Sequence, residues 1–241
     1  MSDKRFKIKE PRKMKYFIPI LIFLSILQTG KSQNILSKNI GPFDNISIFG
    51  SIDATIEKSE NDSIFIDSDF VDMDKVSIKT EDKTLKISTT EKLFDNRKQF
   101  KIVIKYRELK KIKINGGAEI TGKDEITEKT VELIAGSGAT ITIKVNSDFV
   151  DATVGQGATI RLGGTCRKQR VETSTGGIYS AYELKCDSGY LKANTGGIVK
   201  AFANSLLDAV ASTGGQISYR GDPKIKKEKT ILGGNIEKMA E

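Results

Sequence analysis

The sequence predicts an all-β protein, a right-handed parallel β-helix whose stacked coils are about twenty residues long. Glycine pairs recur through its second half, and their second members are 21, 19, 20, 20, 18 and 19 residues apart. A steady period of this length is the signature of a repeat architecture. The segments before the pairs alternate apolar and polar residues, as strands with one buried face do. We therefore expect each coil to bury its inner face and to contact only its neighbours.

The glycine pairs are expected to form one corner column of this solenoid. A corner favours a residue without Cβ, because the backbone there takes positive φ or packs closely. The paired glycines are Gly116, Gly117, Gly136, Gly138, Gly155, Gly157, Gly176, Gly177, Gly196, Gly197, Gly214, Gly215, Gly233 and Gly234.

Two inner columns are predicted from the repeated text. The block Gly-Ala-x-Ile occurs three times and ends at Ile120, Ile141 and Ile160. Equal spacing from the glycines places these isoleucines in one column. The alternating segments before the glycines predict a second column, made of Val131, Val150, Val171 and Leu191.

Residues 1–32 are expected to be a signal peptide rather than part of the fold. A basic stretch precedes an apolar run from Phe17 to Leu27, which is too short to span a bilayer but suits a signal-peptide core. Small residues at Gly30 and Ser32 suggest cleavage after Ser32, so that the mature chain starts near Gln33. Met14 is an alternative start, and an uncleaved membrane anchor is the rival interpretation.

Most of the positive charge belongs to this leader. The whole chain has 39 Lys and Arg against 31 Asp and Glu, and residues 1–32 hold eight of the former and two of the latter. The remaining 31 basic and 29 acidic residues leave a net charge of only +2. A nucleic-acid partner is therefore not expected.

Residues 33–115 are expected to form an irregular N-terminal β layer. Short alternating runs such as Ile46–Phe49 and Phe100–Ile104 are separated by polar turns, without the glycine repeat. No linker separates this region from residues 116–241, so we predict one continuous structure. The layer would also cover the first coil, whose backbone groups would otherwise be unpaired.

Three stretches resemble the GIN-domain family. They are Pro42–Gly50 (PFDNISIFG), Asp53–Ile56 (DATI) and Leu109–Ala118 (LKKIKINGGA). The family is described as autotransporter adhesin heads of secreted bacterial proteins. The resemblance covers roughly residues 40–235. It implies a β-helical fold and export to the cell envelope, and it offers no catalytic residues.

Several chemical motifs are excluded or weak. The stretch Gly117–Lys123 matches most of a phosphate-binding loop, but Asp124 replaces the required Ser or Thr and no helix is expected after it. Histidine is absent, which removes His-dependent triads and the usual zinc ligands. We expect no cofactor.

Acidic residues could form one outward column on successive coils. Glu132, Asp151 and Glu172 share an outward phase, and bound calcium would relieve their repulsion. The plainer interpretation is a solvated face, neutralised by neighbours such as Arg170 and Lys192.

Aromatic residues gather in the later coils. Exposed rings could stack on sugars, but Tyr182 and Phe202 are one period apart and favour an internal stack. The residues concerned are Tyr179, Tyr182, Tyr190, Phe202 and Tyr219.

The two cysteines are predicted to form a disulfide between adjacent coils. Cys166 and Cys186 are 20 residues apart and each lies nine residues after the second glycine of its repeat. Adjacent strands about 4.8 Å apart fall within the Cα separation that a disulfide accepts. A pair of stacked free thiols is the alternative.

The predicted function is an exported structural or binding module without catalysis. It would act in the periplasm, at the outer-membrane surface or outside the cell, on a glycan or an envelope protein, with no membrane span after signal removal. Two alternatives stay open: a polysaccharide lyase or hydrolase built on a β-helix, and an envelope-stress scaffold that works through a partner protein. The oligomeric state is not predicted.

Overall fold

The computed structural model of the protein describes residues 35–67, 75–89 and 100–240. The predicted signal segment lies outside these residues. Within them there are seventeen strands and no α-helix, and therefore no helix that could cross a membrane. The strands are β1 (Ile35–Asn39), β2 (Asn45–Phe49), β3 (Ile52–Lys58), β4 (Ser63–Asp67), β5 (Val76–Glu81), β6 (Thr84–Thr89), β7 (Phe100–Tyr106), β8 (Lys111–Asn115), β9 (Glu119–Ala135), β10 (Thr140–Val154), β11 (Thr159–Thr173), β12 (Ile178–Ala193), β13 (Ile198–Phe202), β14 (Leu206–Ser212), β15 (Gln216–Arg220), β16 (Ile225–Ile231) and β17 (Asn235–Lys238).

The predicted parallel β-solenoid is confirmed. It has about seven turns with coils of roughly 19 residues. The first face stacks β2, β8, the end of β9, the ends of β10 to β12, and then β14 and β16. The second face stacks β7, β3, the starts of β9 to β12, and then β13, β15 and β17. A third face joins only the middle segments of β9 to β12.

The N-terminal region continues the same two faces. Strand β2 pairs in parallel with both β6 and β8, and β3 pairs in parallel with β7 and β9. Among the described strands, antiparallel pairing joins only β1 with β4, β4 with β7, and β5 with β6. These added strands extend the two faces at the first end of the stack. The capping role expected of this region stays a prediction.

The column of Ile120, Ile141 and Ile160 is confirmed. The three residues pair in register and are fully buried, and the column continues through Tyr179 and Val199.

The second predicted column is wrong from its third member onward. Val150 pairs with Gln169, whereas Val171 pairs with Ala152 and Leu191. A shift by two residues leaves every side chain on the same face, so alternation alone does not fix this register. As a result, a polar side chain, Gln169, lies fully buried in the core.

The glycine pairs lie in one corner, at a tight turn that repeats in each coil. In a typical coil Thr175 and Gly176 both have positive φ, 49° and 71°, and the Gly177 N–H donates to the Ser174 carbonyl. This is the type I′ pattern, which requires left-handed backbone at both central positions. In the Gly-Gly pairs from Gly176 onward the second glycine follows the turn and packs closely, since a Cβ on Gly177 would lie against the Val154 carbonyl oxygen.

The two glycine arrangements therefore differ by one position. In Gly155-Gln156-Gly157 the second glycine is the left-handed turn residue, but in Gly176-Gly177 the first is. Ala158 occupies the place that Gly177 takes in the next coil, because Thr159 pairs with Ile178. Because the second glycine stands at different turn positions in these two coils, the spacing of second glycines does not give the spacing of the turns.

Candidate binding surface

The outward residues of the first face form charged columns that run across the coils. Lys111 contacts Glu132 at 2.9 Å, and Arg170 contacts Asp151 at 3.4 Å. Asp151 pairs in register with Glu132 on one side and Arg170 on the other. The column is therefore mixed in charge.

The acidic column considered from the sequence does not form. Glu172 pairs in register with Thr153 and Lys192, two residues along the strand from the level of Asp151. The same register shift that moved Val171 accounts for this difference. Among the described residues no group of three or more potential ligand side chains is placed to hold a metal ion. The calcium hypothesis required Glu132, Asp151 and Glu172 in one column, and the register does not place them there.

The aromatic residues divide into buried and surface rings. Tyr179 and Tyr219 are buried, whereas Tyr182, Tyr190 and Phe202 are half-buried. The expected internal stack of Tyr182 and Phe202 is therefore wrong. A cationic side chain lies over each of these two rings. The Arg220 guanidinium is 4.5 Å from the Tyr182 ring centre, and the Lys185 ammonium is 4.2 Å from the Phe202 ring centre.

A cluster of rings and cations lies at the edge of the first face. The Lys168 ammonium is 4.5 Å from the Tyr190 ring centre and 5.7 Å from that of Phe149. The Arg170 guanidinium lies 5.4 Å from the Phe149 ring centre. Cations over ring faces in this range are attracted by the ring quadrupole. We call Phe149, Lys168, Arg170 and Tyr190 the aromatic-basic cluster.

A shallow depression adjoins this cluster. Its volume is about 200 Å³, and it is lined by residues of β11, β12 and β14. This is below the roughly 300–1,000 Å³ typical of small-molecule pockets. It suits one unit of a larger ligand rather than a cofactor. The outward lining residues are Arg170, Glu172, Tyr190, Lys192, Asp208 and Val210.

The third face places Cys166 and Cys186 directly opposite each other. They pair in register, their Cα atoms are 4.6 Å apart, and the sulfurs are joined. Both side chains are buried on the inner side of the coil. The geometry accommodates the disulfide; its formation in the exported protein stays a prediction.

Comparison with known families identifies the chain. Residues 42–223 match the family model described as "Putative auto-transporter adhesin, head GIN domain". The chain belongs to this GIN-domain family. The match spans the parallel coils from β2 to β15, and it includes the aromatic-basic cluster and the depression.

Solved structures share the fold of this GIN domain at low identity. A protein described as a "putative adhesin" from Bacteroides fragilis has a TM-score of 0.76 and 18% identity, over 86% of this chain and 98% of that one. A "putative lipid binding protein" from Parabacteroides distasonis has a TM-score of 0.66 and 21% identity, over 86% and 96%. A "putative adhesin" from Parabacteroides merdae has a TM-score of 0.64 and 18% identity, over 86% and 95%. No curated protein sequence matches the chain.

Proposed function

We propose that this GIN-domain protein is an exported, non-catalytic binding module of the cell envelope. We propose further that the aromatic-basic cluster and its depression bind a glycan chain. The family description supports an adhesin-like surface module. The glycan is our addition, and it rests on the half-buried Tyr190 ring beside a polar depression.

The chemistry of the depression suits a sugar better than an apolar ligand. Tyr190 and Val210 offer apolar surface, and Arg170, Lys192, Glu172 and Asp208 offer both donors and acceptors. An amphipathic ring with polar groups around it matches the alternating apolar and hydroxyl surfaces of a sugar ring. The stacked coils repeat along the solenoid axis, so a polymer could contact several of them.

The enzymatic alternative has lost its motivating observation. A lyase or hydrolase on this scaffold would need clustered acids. Of the three acids named from the sequence, Glu132 and Asp151 share a column, whereas Glu172 lies in another. No described feature favours the envelope-stress scaffold.

A glycan array with the mature protein tests the proposal. Tyr190→Ala should weaken binding to the glycan hits by about 2 kcal/mol, roughly thirtyfold, because it removes an aromatic anchor. Tyr182→Ala is the matched control, since that half-buried ring lies outside the cluster. Equal effects of the two variants, or no glycan hit, would contradict the glycan site. Measured cleavage of any bound glycan would contradict the non-catalytic assignment.

Export has its own test. The mass of the protein purified from its native source should correspond to a chain that begins near Gln33. An intact N-terminus recovered from the cytoplasmic fraction would contradict export without bearing on the glycan site.

A further inference from the structure

The last coil concentrates exposed apolar side chains. Among the described residues, five large hydrophobic side chains are exposed, and four of them lie on or beside β16 and β17. They are Ile225 (54% exposed), Ile231 (39%), Leu232 (80%) and Met239 (40%). Single exposed apolar residues are ordinary, but their concentration at one end of a solenoid marks an interaction surface.

This end also presents an open strand edge. In the described part of the chain, β16 pairs only with β14, and β17 only with β15. A strand inside a parallel sheet divides its backbone hydrogen bonds between two neighbours, so half of those of β16 lack a strand partner. Such an edge is a template for another strand.

Lysines dominate this edge strand. Residues 225–231 read Ile-Lys-Lys-Glu-Lys-Thr-Ile, with three lysines and one glutamate. All seven residues are exposed, including Lys226 and Glu228, which stack below the buried Leu207 and Ala209. In the last coil, charged residues therefore occupy the positions that buried apolar residues occupy in the coil before it.

Elsewhere in the solenoid, several charges on one coil face an opposite charge on the next. Lys111 meets Glu132 at 2.9 Å, and Arg167 meets Asp148 at 2.8 Å. The Arg167 guanidinium holds the pKa of the Asp148 carboxyl below its ordinary value. Directly opposed charges of opposite sign stabilise strand pairs. Lys227 ends such a column: it pairs with Asp208, and no coil follows it in the described chain.

We propose that β16 binds an extended acidic segment of a partner protein by strand addition. The partner strand would place carboxylates opposite Lys226, Lys227 and Lys229, and apolar side chains opposite Ile225 and Ile231. Backbone hydrogen bonds supply affinity in this mode, and the alternating side chains supply specificity. This surface is at the end of the solenoid and shares no residue with the aromatic-basic cluster.

Charge complementarity favours an acidic strand over a second copy of this chain. Two copies of β16 would each bring a net charge of +2 within residues 225–231, and like charges across an edge repel. The lysines thus act against self-pairing while leaving the edge open to an acidic strand. An anionic lipid surface would also attract them, but it would not pair with the strand backbone.

The test uses two end-blocked, fluorescently labelled peptides on the mature protein. The acidic probe is Ile-Glu-Glu-Lys-Glu-Thr-Ile, and the control is Ile-Lys-Lys-Glu-Lys-Thr-Ile. By fluorescence anisotropy at low salt, the acidic probe should bind at least tenfold more tightly. The triple variant Lys226→Glu, Lys227→Glu, Lys229→Glu should reverse that preference. Because Lys227→Glu would place a carboxylate opposite Asp208, the single variant Lys229→Glu is a second arm that should weaken the acidic probe severalfold.

Hydrogen exchange separates strand addition from simple charge attraction. The acidic probe should slow exchange of the β16 amides and leave those of β2 unchanged. Binding without such protection, equal binding of both peptides, or no binding would overturn the proposal. So would attachment to vesicles containing anionic lipid in the absence of peptide binding.

Discussion

The hydroxyl of Tyr179 donates a hydrogen bond of 3.0 Å to Oε1 of Gln169 inside the apolar core. The Gln169 amide in turn donates to the Phe202 carbonyl oxygen at 2.7 Å. Gly189 is the register partner of Gln169 on the next coil and leaves room for the long side chain. Burial raises the pKa of the Tyr179 hydroxyl well above its ordinary value, which keeps it protonated as a donor.

Removing the Tyr179 hydroxyl should destabilise the fold. Tyr179→Phe leaves Gln169 Oε1 buried without its donor, at an expected cost of about 1–3 kcal/mol. Gln169→Leu alone should also cost stability, because the hydroxyl and the Phe202 carbonyl lose their partner. The double variant should cost less than the sum, since both groups leave together. Urea unfolding of the four proteins checks this, and strictly additive losses would contradict the network.

The disulfide should be formed in the exported protein. Thiol counting on unfolded, unreduced protein from its native source should find no free thiol, because Cys166 and Cys186 are the only cysteines. Two free thiols per chain would show the stacked-thiol alternative. The double variant Cys166→Ser, Cys186→Ser should lose less than the roughly 3 kcal/mol that loop entropy suggests for a loop of this size. The adjacent coils already constrain the same segment.

The two members of a glycine pair should respond differently to alanine. Gly177→Ala forces a Cβ against the Val154 carbonyl and should cost about 1–3 kcal/mol through overpacking. Gly176→Ala meets nothing within 4 Å but keeps a φ of +71°, so we expect about 1–2 kcal/mol from left-handed strain.

The neighbouring coil supplies the control for that comparison. Ala158 occupies the equivalent of position 177, and Ala158→Gly should cost only about 0.5–1 kcal/mol. Thermal unfolding of the three variants gives the order. A Gly177→Ala protein as stable as the parent would contradict the close approach seen at this corner.

Alkaline pH should destabilise the protein through its buried tyrosines. Burial, followed by the hydrogen bond to Glu228 and the charges of Glu228 and Asp222, raises the pKa of Tyr219 to about 12. Burial is also the main cause that raises the pKa of Tyr106 to about 12. Because the folded state holds these protons more tightly than an unfolded chain with a pKa near 10, their contribution is complete below pH 10. It is lost as pH rises from 10 to 12.

Urea unfolding between pH 9 and 12 measures this loss. Tyr219→Phe cannot ionise and should show a smaller fall in stability over the same range. A fall that is unchanged in Tyr219→Phe and Tyr106→Phe would assign the alkaline sensitivity to other groups.

The sequence was sufficient for the fold because its strongest signals are local. The Gly-Ala-x-Ile blocks keep glycine and isoleucine at a fixed separation, so the column of Ile120, Ile141 and Ile160 could be predicted correctly. The type of coil and its approximate length follow from the same spacing.

The strand register and the arrangement of the surface side chains could not be predicted from the glycine repeat and the apolar-polar alternation. The change from Gly155-Gln156-Gly157 to Gly176-Gly177 moves the turn by one position, and alternation tolerates a shift by two. Those shifts decided that Gln169 lies in the core and that Arg170, not Glu172, faces Asp151. The aromatic-basic cluster depends on the same register, because it joins residues of three different coils.

The coils differ in length mainly at one place. The register shifts between Thr142 and Lys144, and again between Arg161 and Gly163, because β9 and β12 carry extra residues where the second face meets the third. The glycine corner keeps the same four-residue turn in successive coils. A foreign peptide grafted beside Leu162 should therefore be carried on the outside with the stack intact, whereas one placed at Gly157 should break the ladder. The solenoid has a built-in position for displaying new loops, and its recognition properties can be altered there without redesigning the core.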